Sequence, residues 1–412
     1  MIETTRELFD IGAARARYVA CNAATLRWML DRGLLGAGFL NTKVNSLTGA
    51  DYGAEDGLRG PSFTYGWIQG RGLEALTTHA AFFAQEEPAL AARLDAAGRR
   101  LYGALAGLFE RHGAHGYFCY DAELRPIARD GDGRIVPQRA AGDLFTYSDA
   151  FVIKGLLAAA ARYGDRDGQA RWLARLRDLV EAVEDGRFHH QEAGLLDPRP
   201  DPSRRDEFGP WMIVLAAAGL LRRLGLADET GFGRRFVDTV LTRHWRGGGG
   251  LGLIPDRIGA EAANPGHAIE FVGFAQEASP ETDAATAAAL ERILLACFAA
   301  GHRPPGIVVS VDAASGEALT QNRPWWSLPE TIRAAALTHA RRGSRAVATV
   351  WATADADFFA HYWRADRGFA YQTRDAAGPV DFVPATPDLD PGYHTGLSLL
   401  GAIEAIDAVA GR

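Results

Sequence analysis

Two runs of residues are best equipped for acid–base chemistry: Asn264-Pro265-Gly266-His267-Ala268-Ile269-Glu270 and Asp390-Pro391-Gly392-Tyr393-His394. Each sets a histidine just after a Pro-Gly pair, where a long loop enters a helix. Histidine is the side chain whose ordinary pKa lies nearest neutrality. A helix N-terminus disfavours the imidazolium, so His267 is expected to be neutral at pH 7 and able to accept a proton. His394 sits in a similar position. His267 and Glu270 are three residues apart and share a helical face, so the carboxylate can orient or polarise the imidazole. Arg71, in Trp67-Ile68-Gln69-Gly70-Arg71, offers a fixed cation for developing negative charge. Trp67, Trp325, Trp326 and Tyr393 are suited to stack on the apolar faces of a sugar ring, and Gln69 and carboxylates such as Asp149 and Glu330 to bond its hydroxyls. Plainer uses compete: Trp325-Trp326 as core packing, and Asp149 as an N-terminal cap.

Other patterns carry less. His79, His112, His115, His244, His302, His339 and His361 lack this context and are read as structural. His189-His190 has no third ligand spaced for a metal, and adjacent helical positions diverge. Asp130-Gly131-Asp132-Gly133 fails as a calcium loop, because Arg134 takes the third ligand position and Ala141 the place of the bidentate glutamate, so a turn between short strands is expected. Gly247 to Gly250 lacks the lysine and preceding strand of a phosphate loop and reads as a flexible entrance loop. No Gly-x-Ser-x-Gly elbow occurs. No metal site is expected.

The elements that must position these residues are helices. Apolar residues at three-and-four spacing run through about 8–33, 68–86, 88–112, 146–163, 167–186, 207–224, 228–246, 266–277, 280–301, 325–341, 344–364 and 392–409. Glu87-Pro88 separates two of them, and Ser279-Pro280-Glu281 is expected to open another with Pro at the first helical position. Turns within successive pairs are short, whereas the connections 34–66, 113–145, 187–206, 247–265, 302–324 and 365–391 are long and include strand-like pieces at 306–311 and 368–372. Loops of that length inside a compact domain are usually functional. If successive helices run antiparallel, all the long loops emerge at one end. The runs opened by Trp67, Tyr147, His267, Trp325 and His394 then lie at the starts of even-numbered helices and converge on one mouth. Twelve helices in six hairpins predict an all-α (α/α)6 barrel, with a superhelical array as the alternative. No linker divides the chain, which is expected to be one catalytic domain, 1–412.

The 412 residues hold 47% apolar and 23% charged residues, with Lys plus Arg 44 against Asp plus Glu 51 and a net charge of -7. That is a globular composition, without the broad basic surface that recruits nucleic acid. Cys21, Cys119 and Cys297 are far apart, which fits free thiols in a reducing compartment. Met1 to Glu7 lacks the layout of a signal peptide, and the uncharged stretch Gly209 to Leu221 falls short of a bilayer span. A cytoplasmic protein, bound to neither nucleic acid nor membrane, is expected, as a monomer or homodimer with a small-molecule sugar as its partner.

Taken together, Trp67-Ile68-Gln69-Gly70-Arg71, the Asn264–Glu270 run, Trp325-Trp326 followed by Glu330, and Tyr393-His394 resemble the N-acylglucosamine 2-epimerase family, in order and across nearly the whole chain. The resemblance implies an (α/α)6 barrel and cofactor-free proton transfer at C2 of a free reducing sugar. It gives the paired acid–base roles to His267 and His394, the glutamate roles to Glu270 and Glu330, and the arginine role to Arg71. Members acting on cellobiose, mannose or sulfoquinovose commonly carry a third histidine on the sixth helix. Here that stretch reads Phe208-Gly209-Pro210-Trp211-Met212-Ile213-Val214-Leu215, closer to the N-acylglucosamine type. A sugar 2-epimerase is therefore the leading expectation and an aldose–ketose isomerase the second. A glycoside hydrolase using Asp149 and Glu330, or a carbohydrate-binding protein without activity, are the other classes.

Overall fold

Helical spacing in the sequence becomes twelve α-helices among the residues that the computed structural model describes, which are 9–36, 38–245, 249–382 and 385–411. In chain order they are α1 Ile11–Leu30, α2 Gly66–Glu86, α3 Pro88–Arg111, α4 Tyr147–Tyr163, α5 Arg166–Asp185, α6 Phe208–Arg223, α7 Phe232–Thr239, α8 Pro265–Ala278, α9 Ala284–Gly301, α10 Ser327–Arg342, α11 Arg345–Asp357 and α12 His394–Ala410. Their ends follow from local chemistry. Pro88 occupies the first turn of α3 directly after Glu87 closes α2. Gly164 and Gly343 end α4 and α10 at φ 73° and 65°, which glycine adopts without a Cβ penalty. Several boundaries differ from expectation. The helix expected at Pro280 begins at Ala284, where the Asp283 side chain accepts the Thr286 N–H and outcompetes the proline as a start signal. Trp325 and Trp326 precede α10 instead of opening it. Helix α7 is short and continues as a π-helical turn, Val240–His244. The entrance loop expected from Gly247 lies partly outside the described residues.

The chain forms two compact units: Met1–Ala24 with Asp206–Pro384 and His394–Arg412, and Thr25–Arg205 with Ala385–Tyr393. In the second unit, α2 and α4 pack together and each pairs with the helix that follows it. Helix α4 is buried on nearly every face from Ser148 to Ala160, whereas α3 buries one stripe, including Leu90, Leu94, Leu101, Leu105 and Leu108. Glycine lets α2 and α4 touch backbone to backbone. A Cβ on Gly70 would lie 2.5 Å from the Phe151 carbonyl carbon, and one on Gly155 would lie 2.4 Å from the Gly70 oxygen. Four short antiparallel strands, β1 Thr64–Tyr65, β2 Cys119–Tyr120, β3 Pro126–Arg129 and β4 Ile135–Pro137, form one sheet in that order from this unit's connections. The turn joining β3 to β4 is the Asp130–Gly133 run, whose Asp130 carboxylate accepts from the Asp132 and Arg134 N–H groups.

In the first unit α6, α8, α10 and α12 pack in succession, and α7, α9 and α11 pair with the helices before them. The first set is again buried on most faces. Helix α9 has the length and apolar content of a membrane span, yet it carries Glu291 and Arg292 and sets Leu290, Ile293, Leu294 and Cys297 inside the protein against α8. All three cysteines are buried and outside any disulfide.

Candidate active site

The first unit brings both histidines against one indole. Asn264 caps α8 by accepting the His267 N–H at 3.1 Å, which fixes His267 in the first helical turn. Its half-buried imidazole stacks on Trp326 with ring centroids 5.2 Å apart and planes 27° apart. His394 opens α12 and meets the same indole, centroids 5.7 Å apart and tilted by 36°. Trp325 meets His394 edge-on at 6.3 Å. Gly266 makes room, since a Cβ there would lie 2.8 Å from Cη2 of Trp326. The sequence-level expectation that the two tryptophans stack on a sugar is thus joined by a different use: both are buried, and Trp326 is the surface on which the imidazoles are set.

His394 is held by acids from two helices. Its Nδ1 lies 2.9 Å from Glu330 Oε1 on α10 and 3.8 Å from Glu270 Oε1 on α8. Both carboxylates are 1% exposed, so little water dilutes the contact. A carboxylate only accepts, so in this contact the His394 proton sits on Nδ1. Glu270, expected to serve His267, faces His394. Glu330 in turn takes a hydrogen bond from the Arg333 guanidinium one turn along α10. Glu270, Glu330 and His394 place ligand-capable atoms within 4.8 Å of one another, a donor set that a divalent ion would accept. His394 Nδ1 and Glu330 Oε1 already bond each other, and an ion would sit beside the Arg333 charge.

Ahead of α8, Asp256 accepts the Asn264 N–H at 2.9 Å, and burial raises its pKa to about 6. This link steadies the capping residue of the His267 turn. Sequence reading missed it, as it missed Arg333, although the three-residue offset of Arg333 from Glu330 was a usable signal.

The second unit holds the other expected residues. The Arg71 guanidinium lies 4.0 Å from the Phe151 ring centroid, 4.8 Å from that of Trp67 and 5.4 Å from that of Tyr393. This is an aromatic cage around a cation. The Tyr393 hydroxyl accepts a hydrogen bond from Lys154 Nζ at 2.6 Å, and Lys154 pairs with Glu74 at 3.1 Å, all three side chains being buried. Half-buried Trp67 packs edge-on against Phe118, Tyr147 and Phe151, and its Nε1 donates to Glu192 on the 187–206 connection. Glu192 also accepts the Ser148 N–H at the start of α4, and burial raises its pKa to about 7.

Two expectations are corrected here. Asp149 is fully buried, with Oδ1 accepting from the Gly116 N–H and facing His115 Nδ1 at 3.1 Å while Oδ2 accepts from Thr146. Both oxygens serve the cap of α4 and its neighbouring loop, so none is left to bind a sugar hydroxyl. Gln69 is 1% exposed and gives both ends of its amide to the Leu40 backbone, at 2.8 Å and 3.1 Å. Its polarity anchors the 34–66 connection.

No family model and no curated protein matches the sequence. Solved structures do. A cellobiose 2-epimerase from Spirochaeta thermophila matches with a TM-score of 0.73 at 14% identity, over 97% of this chain and 98% of that one. A D-mannose isomerase matches at 0.71 and 13% identity, over 94% and 97%. A sugar epimerase from a ruminal bacterium matches at 0.69 and 12% identity, over 95% and 98%. The chain has the (α/α)6-barrel fold of these enzymes. Within that barrel fold, His267, Glu330 and His394 lie in the first turns of α8, α10 and α12, and Glu270 one turn further along α8.

Proposed function

We propose that this (α/α)6 barrel is a cofactor-independent sugar 2-epimerase of the N-acylglucosamine 2-epimerase type, with residues 1–412 as one catalytic domain. The observation that carries the reading is the pair of imidazoles on Trp326, one of them with its Nδ1 fixed by Glu330. The substrate is a free reducing aldose. Ring opening exposes the C1 aldehyde and makes the C2 proton acidic. One histidine takes that proton through its unprotonated nitrogen, and the electron pair moves into a cis-enediolate. The other histidine, as imidazolium, delivers a proton to the opposite face of C2, giving the 2-epimer and returning the charge balance to its start. Glu270 and Glu330 stabilise the imidazolium form on His394, and the family resemblance gives Arg71 the enediolate oxygen.

The second reading is aldose–ketose isomerisation, in which the proton returns to C1. The likeness to a D-mannose isomerase keeps it in view. Hydrolysis is disfavoured, because Asp149, the carboxylate that would have partnered Glu330, is spent on capping. The test is incubation in deuterium oxide with a panel of aldoses and N-acyl amino sugars. Deuterium at C2 of a 2-epimer supports epimerisation, and deuterium at C1 of a ketose supports the second reading. No exchange with any sugar rejects both.

A further inference from the structure

Behind the acid–base pair lies a buried cation that neither the resemblance nor the sequence reading assigned. The Arg333 side chain on α10 is 5% exposed. Its guanidinium bonds Glu330, lies 3.6 Å from Glu277 on α8 and sits 4.3 Å above the Phe274 ring. Three neighbouring helices leave space for this arrangement by using glycine. A Cβ on Gly273 would lie 2.8 Å from Arg333 Nε, one on Gly401 would lie 3.2 Å from Arg333 Cδ, and one on Gly219 would lie 3.1 Å from Glu277 Cβ. An incidental surface pair needs no such accommodation.

We infer that Arg333, backed by Glu277, is a positioning residue that keeps Glu330 available as the acceptor for His394 Nδ1. This rests on the proposed acid–base role of His394. Glu270 and Glu330 both approach Nδ1, and two buried carboxylates this close tend to share a proton unless a cation compensates them. A proton on Glu330 would turn the acceptor into a donor and release the imidazole to its other tautomer. Arg333 prevents this by charge and by the direction of its fork. Loss of the cation would also leave His394 facing uncompensated acids, which would hold the imidazolium more tightly and blunt its Nε2 as a base. Among the described residues of this unit, the charged and titratable groups around His394 include Glu270 from α8, Glu330 from α10, Arg333 and Glu277 behind Glu330, and His267 across Trp326.

The test uses Arg333→Met, Arg333→Lys and the double variant Arg333→Met with Glu277→Gln, which avoids leaving Glu277 unpaired should the single variant unfold. For each, kcat, KM, thermal midpoint and the NMR titration of the His394 imidazole are measured. We expect kcat to fall about 100-fold or more in folded Met variants with KM within about threefold, and Lys to recover part of the loss. We expect the His394 midpoint to rise by about one pH unit in the Met variants. Unchanged kcat, or a loss confined to KM, overturns the inference. The imidazole titration needs no substrate: if the wild type turns over no sugar, the functional reading fails while an unmoved His394 midpoint still decides against Arg333.

Discussion

At His394 the Nδ1–Glu330 contact is the feature on which reactivity turns. Glu330→Gln puts an amide between the imidazole and Arg333, and with its oxygen turned to Arg333 its NH2 faces Nδ1 and draws the His394 proton to Nε2. We expect kcat to drop about 100-fold or more with KM little changed, read by steady-state kinetics alongside a circular dichroism spectrum. Glu270→Gln, at 3.8 Å, should cost less. Gly266→Ala pushes a methyl into Trp326 and should destabilise by about 1–3 kcal/mol, read by denaturant unfolding. The histidines were legible because Pro-Gly-His contexts at helix starts are uncommon. Asp149 and Gln69 were misassigned because a polar residue at a helix start looks the same in sequence whether it caps a neighbour or faces a ligand. Only the partners decide, and here they are the Gly116 and Thr146 groups and the Leu40 backbone.

At the scale of elements, those misassigned residues become structural predictions. Asp149→Ala removes the reciprocal half of the α4 capping box, whose N-cap is Thr146, and strips acceptors from two buried N–H groups, those of Gly116 and Thr146. We expect a stability loss of about 2–4 kcal/mol, measured by urea unfolding with substrate affinity as a control. Gln69→Ala should likewise loosen the 34–66 connection, seen as faster amide exchange at Leu40. Helix number and order were legible because buried and one-faced helices have distinct periodicities. Helix ends were less so. At Ala284 a proline, an acid and a threonine compete within five residues, and the Asp283 cap prevails through a bond that spacing alone does not reveal.

For the molecule as a whole, burial has a pH consequence. The Glu192 carboxyl is raised from 4.5 to about 7, so the folded state holds a proton that the unfolded chain releases. Its contribution is favourable below about pH 4.5 and is lost as pH rises through about 7. Glu192→Gln keeps an acceptor for Trp67 and Ser148 without the ionisation. Relative to wild type it should gain stability at pH 8, up to about 3 kcal/mol, and little at pH 4. Unfolding curves at the two pH values check the sign. Glu192 was invisible in the sequence because it lies in a loop whose burial depends on contacts distant along the chain, to Trp67 and Ser148. The (α/α)6 fold was legible because it needs only a count of hairpins.

The central claim is that His267 and His394 serve opposite faces of C2. Isotope exchange in His267→Ala and His394→Ala, run from each epimer in deuterium oxide, tests it most directly. The account predicts that neither variant interconverts the epimers, while each, if its remaining base still acts, exchanges the C2 proton of a different epimer. Substantial epimerisation by either folded variant, or exchange of the same epimer by both, would contradict it.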